Sequence, residues 1–236
     1  MDASSLKAVV DMRLRADRQA SGPAVGSLEA PGKEAYGLQL SGESQEQIPG
    51  KARASWRLYV PPYKELTGLM SKRALEEHLK YYAEHFTQAQ TDEGMAPFIR
   101  SQSDEAHCAA SAILHELFFE GLSVLPSPPS VSVQSALINR FNSVDSWWDE
   151  MIQVGVLAHG WAVTVVSPKD HQDIQTVLLD PGESNFPPGY MPICAVDCHE
   201  HAYWMDHGFD KKRYLEAMKR FINWEALDER FSFATR

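Results

Sequence analysis

Two histidines stand on the apolar faces of helices, and that placement constrains this chain more than any other feature of its sequence. In "SKRALEEHLKYYAEHFTQAQ", residues 71–90, Leu75, His78, Leu79, Tyr82 and Phe86 recur at helical spacing behind Ser71, a good N-cap residue. In "DEAHCAASAILHELFFEGLS", residues 104–123, His115 sits among Ile113, Leu114, Leu117 and Phe118, and Gly121 supplies the stop. The two segments are expected to pair as an antiparallel helical hairpin. An imidazole turned into such a core must find partners for its ring nitrogens, because an unpaired buried polar group costs on the order of 1–3 kcal/mol.

A partner group lies far along the chain, in "PICAVDCHEHAYWM", residues 192–205. Asp197 and His201 stand four residues apart at the end of a short apolar run. Alone, that pair is an ordinary surface pattern. Joined to two core histidines, it makes three imidazoles and one carboxylate, a mixed nitrogen and oxygen set that suits iron or manganese and leaves a coordination position for a small molecule. No CxxC, zinc-type spacing, P-loop or GxSxG motif competes with it. His85, His107 and His171 read as exposed, and Trp147 with Trp148 as core.

The remainder of the chain organises around these elements. Residues 1–55 are rich in Gly, Ser, Pro and Glu without a sustained period, as in an extended arm that docks on a partner surface. Residues 56–125 form the helical hairpin domain. In residues 126–236, after the break at "PSPPS", two further helices in "SVQSALINRF" and "SVDSWWDEMIQVGV" precede three runs of strand character, "GWAVTVVS", "IQTVLLD" and "PICAVD". The runs are expected to make a small antiparallel sheet, and "DKKRYLEAMKRFINWEALDERF" closes the chain at helical period. The fold class is therefore α+β: an N-terminal antiparallel helical hairpin, then a C-terminal α/β metal-binding domain whose three-stranded antiparallel sheet is flanked by helices.

Charge and cysteine usage narrow the function classes. The net charge of −10 falls entirely in residues 56–236, since residues 1–55 hold seven charges of each sign. An acidic main domain repels phosphate backbones, so direct nucleic-acid binding is not expected. Cys108, Cys194 and Cys198 are too few for a disulfide framework and point to a reducing compartment; Cys194 and Cys198 read as core packing. No apolar run approaches the roughly 18 residues of a transmembrane segment. The first 30 residues lack the apolar stretch of a secretory signal.

The motifs together resemble the iron/manganese superoxide dismutases. "DCHEHAYW" matches that family's DVWEHAYY at five of eight positions; "MSKRALEEH" follows MSxxTLExH, and "LHELFFEGL" follows NHxLFWxGL. "SWWDEMIQVGVLAHGWAVTVV", which contains Trp161, resembles the family's FGSGWxWLV stretch, and "YLEAMKRFINWE" resembles its YLxxFWxxVNW. The order of motifs is kept over about residues 57–233. The resemblance implies His78, His115, Asp197 and His201 as ligands of one iron or manganese ion per chain. It implies superoxide as the substrate, and a homodimer or a heterodimer with a similar subunit, contacted through Glu200 and Trp204.

Around the implied ligands the sequence departs from the family. The tyrosine and histidine that line the family's substrate funnel correspond here to Phe86 and Tyr82, and a phenylalanine has no hydroxyl to relay a proton. The family's glutamine beside the metal-bound solvent corresponds to Ser111 on the second helix, or to the loop "DPGES". His199 replaces the tryptophan of DVWEH, and Phe119 the tryptophan of NHxLFW. Losses in the layer behind metal ligands typically cost about 10- to 100-fold each, so turnover is expected to be low. The alternative is a weak or inactive dismutase-like subunit of a large mitochondrial assembly, a respiratory supercomplex or mitoribosome, docked by residues 1–55. The extension places the expected location in the mitochondrion, otherwise the cytoplasm, and not outside the cell.

Overall fold

The computed structural model describes residues 58–90, 104–125, 127–180, 187 and 189–235. The arm of residues 1–55, its expected docking role, and residues 181–184 of the "DPGES" loop lie outside the described residues. Two long helices come first, α1 (Lys72–Gln90) and α2 (Asp104–Glu120). They run antiparallel: His78 meets Phe118 and Phe119 at one end, while Gln88 accepts from the Cys108 thiol at the other. Ser71 caps α1 as expected, accepting from the Ala74 N–H at 3.3 Å.

The second part holds α3 (Val131–Phe141), α4 (Val144–Leu157), strands β1 (Trp161–Val166), β2 (Ile174–Leu179) and β3 (Met191–Asp197), then α5 (Glu200–His207), α6 (Lys211–Met218) and α7 (Trp224–Ala234). Ser130, Ser143, Asp210 and Asn223 cap α3, α4, α6 and α7 through their side chains. These are the residue types whose short polar side chains satisfy the first free N–H groups of a helix. Asn142 ends α3 in the left-handed region, at φ 71°. The terminal run of helical period is broken by a 3-10 turn, Lys219–Phe221, because Asn223 is claimed by α2: its Nδ2 donates to the Glu120 carbonyl and its N–H to that of Gly121.

The sheet is antiparallel, in the order β2-β1-β3. Every residue of β1, the central strand, and of β3, which is covered by α2 and α7, is buried, so both read as nearly continuous apolar runs, whereas β2 at the opposite edge is partly exposed. Pairing of β1 with β3 shifts between Thr164 and Val165, opposite Pro192, which has no N–H to give the ladder. The register sets Trp161 opposite Asp197, and this places the aspartate at the sheet's end facing the helical hairpin.

One apolar core joins both parts, from Tyr63 to Ala234. Trp147 and Trp148 lie within it as expected, their indole N–H groups donating to Thr164 Oγ1 and the Leu215 carbonyl. Polar ties fasten the hairpin to the sheet domain. Buried Arg230 of α7 donates to the carbonyls of Leu117 on α2 and Ile193 on β3. Asp206 of α5 accepts from the Ser71 N–H at 2.6 Å, and His207 reaches the Leu69 carbonyl at 2.7 Å. The start of α1 is thereby held against the helix that carries His201. No helix among the described residues is long and apolar enough to cross a membrane.

Candidate metal centre

Four chain segments bring one donor atom each to a single point. His78 comes from the middle of α1, His115 from α2, Asp197 from the last position of β3, and His201 from the first turn of α5. Their Nε2 atoms lie 2.9, 3.3 and 3.1 Å from the same oxygen, Asp197 Oδ2, and those of His115 and His201 are 3.5 Å apart. All four donor atoms fall within 4.8 Å of one another. Donor atoms about 2.1 Å from a common ion stand about 3.0 Å apart at a right angle and about 3.6 Å apart at 120°, so the spacings suit a shared cation.

The hydrogen bonds behind the donors test that fit more sharply. His115 Nδ1 lies 2.7 Å from the Ser111 carbonyl, an oxygen that can only accept, so Nδ1 carries the ring proton. In the neutral ring Nε2 is then a bare lone pair, and it points at a carboxylate oxygen 3.3 Å away. Two acceptors facing each other in a dry site repel, and a cation between them removes the conflict. The residues fit a bound iron or manganese ion.

The electrostatics agree. Burial lowers the His78 imidazole from 6.5 to about 4, with its hydrogen bond to Asp197 opposing, and burial lowers His115 as well, against the nearby Asp197 charge, so both rings stay neutral and keep a lone pair at ordinary pH. Burial alone would raise Asp197; the charge of His201, the adjacent His115 ring and hydrogen bonds from His199 and His201 outweigh it and hold the carboxyl well below its usual range. Burial pushes the Cys194 and Cys198 thiols up to about 12, so neither offers a thiolate.

The surrounding layer holds most of the remaining residues singled out in the sequence. Trp161 stands edge-on to His115 at 4.9 Å and to His199 at 5.6 Å. Ser111 orients His115 through its backbone carbonyl, with its hydroxyl 3.3 Å from the same ring nitrogen. Tyr82 is fully buried, its ring stacked 5.9 Å from His115 and its hydroxyl accepting from the Tyr59 N–H. Phe86 packs against Tyr82 in the core. Glu200 is exposed on α5, as is Trp204 at 44%, which packs against Phe209.

Tyr81, which no sequence motif singles out, and His85, expected to be exposed, sit beside the cluster. Tyr81 lies 4.2 Å from His201 and 4.5 Å from His85, whose ring is parallel to that of His115 at 6.3 Å. His85 is half-buried, not exposed as expected; His171 is exposed, and the side chain of His107 lies outside the described residues. Positions three and seven after His78 share its helical face as surely as positions four and eight, and that periodicity was the available signal. The open edge of the centre is marked by His201, 25% exposed, and His199, 19% exposed, against none for the other three donors.

Residues 129–230 match the family described as iron/manganese superoxide dismutases, C-terminal domain. Over that stretch the chain resembles the iron/manganese superoxide dismutases. Among curated relatives, it is 28% identical over 186 residues to a superoxide dismutase [Fe] of Cupriavidus metallidurans, covering 73% of this chain and 93% of that one. It is 22% identical over 207 residues to a superoxide dismutase [Fe] of Aquifex aeolicus, covering 84% and 88%. A mitochondrial superoxide dismutase [Mn] of Glossina morsitans morsitans is 24% identical over 196 residues, covering 73% and 86%. The family's cofactor is an iron or manganese ion, and the His/Asp cluster has the donor set to hold one.

Proposed function

We propose that this chain holds one iron or manganese ion through Nε2 of His78, His115 and His201 and Oδ2 of Asp197, and converts two superoxide anions and two protons into dioxygen and hydrogen peroxide. The observation that carries this reading is the His115 lone pair aimed at Asp197 Oδ2 in a water-excluded site. Held by these four residues, an iron or manganese ion would supply one-electron redox chemistry between two oxidation states.

The chain's part is to bind, orient and exclude. Ser111 holds His115 in one tautomer, and the Tyr214 hydroxyl donates to the Asp197 carbonyl at 3.1 Å, fixing the end of β3. Phe118, Phe119, Tyr82 and Trp161 shut water out on the core side. Small anions and the two protons enter at the His201 edge, where Tyr81, His85 and His199 are the proton-bearing side chains. We assign Glu200 and Trp204, with exposed Met205 and Phe209, to the face that meets a second subunit.

The test is metal content by plasma mass spectrometry on chelator-washed protein, with a superoxide dismutation assay on the same sample. About one iron or manganese per chain with turnover above the metal-free protein is expected, and His115→Ala should lose both. A chain left empty after growth with either metal, or a His115→Ala variant that keeps its metal, would sink the assignment.

A further inference from the structure

His199 stands at the N-cap position of α5 but makes no side-chain cap to that helix. Its ring is turned the other way. Nδ1 lies 2.8 Å from Asp197 Oδ1, and the His199 backbone N–H reaches the same oxygen at 2.9 Å. A carboxylate only accepts, so Nδ1 carries the proton of that bond. The ring is also held on both faces of the problem: it lies parallel to His201 at 4.9 Å and meets Trp161 edge-on at 5.6 Å.

Two donors on Oδ1 stop the carboxylate from turning about its bond to Cβ. Oδ2 is therefore the oxygen presented to His78, His115 and His201. A hydrogen bond to the outer oxygen also draws negative charge away from the inner one, which makes it a weaker donor to a trivalent ion than a free carboxylate would be. A tryptophan, the family's residue at this position, has its only N–H on a longer, differently placed ring; the backbone N–H would remain and the second donor would be lost.

We infer that His199 is a positioning residue, whose ring N–H locks the Asp197 carboxylate and sets how tightly, and at what potential, the centre holds its metal. The inference rests on the metal-binding reading above. It is tested on the full chain loaded with iron, by chelator competition and by a mediated redox titration followed spectroscopically.

His199→Asn keeps an amide N–H close to the place of Nδ1, whereas His199→Gln moves it outward by one carbon and His199→Phe removes it. Loss of the lock outweighs the gain in donor strength, so the Phe and Gln variants should yield iron to the chelator about 10- to 100-fold more readily, while the stronger donor shifts the midpoint to lower potential and Asn stays within about threefold of the parent. Equal behaviour of Asn and Gln, or a Phe variant indistinguishable from the parent, overturns the role of His199 alone. If His199→Phe does not fold, the Asn and Gln pair decides. A parent chain that takes up no iron or manganese overturns the metal-binding reading itself, and this inference with it.

Discussion

Acid should destabilise the metal-free protein through His78. Burial holds its imidazole at about 4, against an ordinary 6.5, and its hydrogen bond to Asp197 only partly opposes this. The unfolded chain takes up the proton near pH 6.5 and the folded chain only near pH 4, so between those values the unfolded state binds more protons. The contribution is whole above the unfolded value and drains away as the pH falls through the folded one. At 1.36 kcal/mol per unit, the shift amounts to about 3 kcal/mol in the limit and about 2 kcal/mol by pH 5. His115 and Asp197, both held below their ordinary values, act in the same direction. Urea unfolding of chelator-treated protein at about pH 7.5 and about pH 5 measures the loss, and His78→Gln, which keeps an N–H toward Asp197, supplies the comparison. The parent should lose about 2 kcal/mol more than the variant over that interval. Equal losses would mean that His78 is not buried as a neutral ring, and the electrostatic account of the centre would fail.

Two further perturbations probe the frame and the surface. A Cβ on Gly155 would stand 2.9 Å and 3.0 Å from the Leu215 methyls and 3.3 Å from Cys198 Sγ, next to Asp197. Overpacking of about 1–3 kcal/mol outweighs about 1 kcal/mol of helix propensity, so Gly155→Ala should lower the melting temperature by about 2–4 °C, and a rise in a thermal melt would refute the packing argument. Trp204→Asp on the exposed face of α5 should halve the mass seen by sedimentation equilibrium; an unchanged mass would remove that face from the subunit contact.

Local pattern accounts for the elements because burial repeats with the period of the element. The helical stripe in residues 71–90 appears as α1, and "PICAVD", apolar up to its final Asp197, as a strand buried on both faces. The break at Asn223 escaped that logic, since the helical period continues through it; the residue is recruited by the end of α2, about a hundred positions earlier. His85 escaped for a different reason. A helix rotated by part of a turn exchanges the residues three and seven positions on for those four and eight positions on, and only packing against α2 and α5 sets the rotation.

The kinds of side chain available to the centre and the elements that carry them are legible in the chain alone, because residue chemistry and short-range periodicity need no distant partner. Convergence was decided by tertiary structure alone: His78 and Asp197 are 119 positions apart and meet at 2.9 Å. Tertiary structure also decided that the His199 ring turns to a carboxylate instead of capping its own helix, and that Tyr81 lies against His201 while Tyr82 is sealed in the core. Each of these choices is settled by which neighbour from a distant segment satisfies a polar atom or fills a space, and no local pattern carries that information.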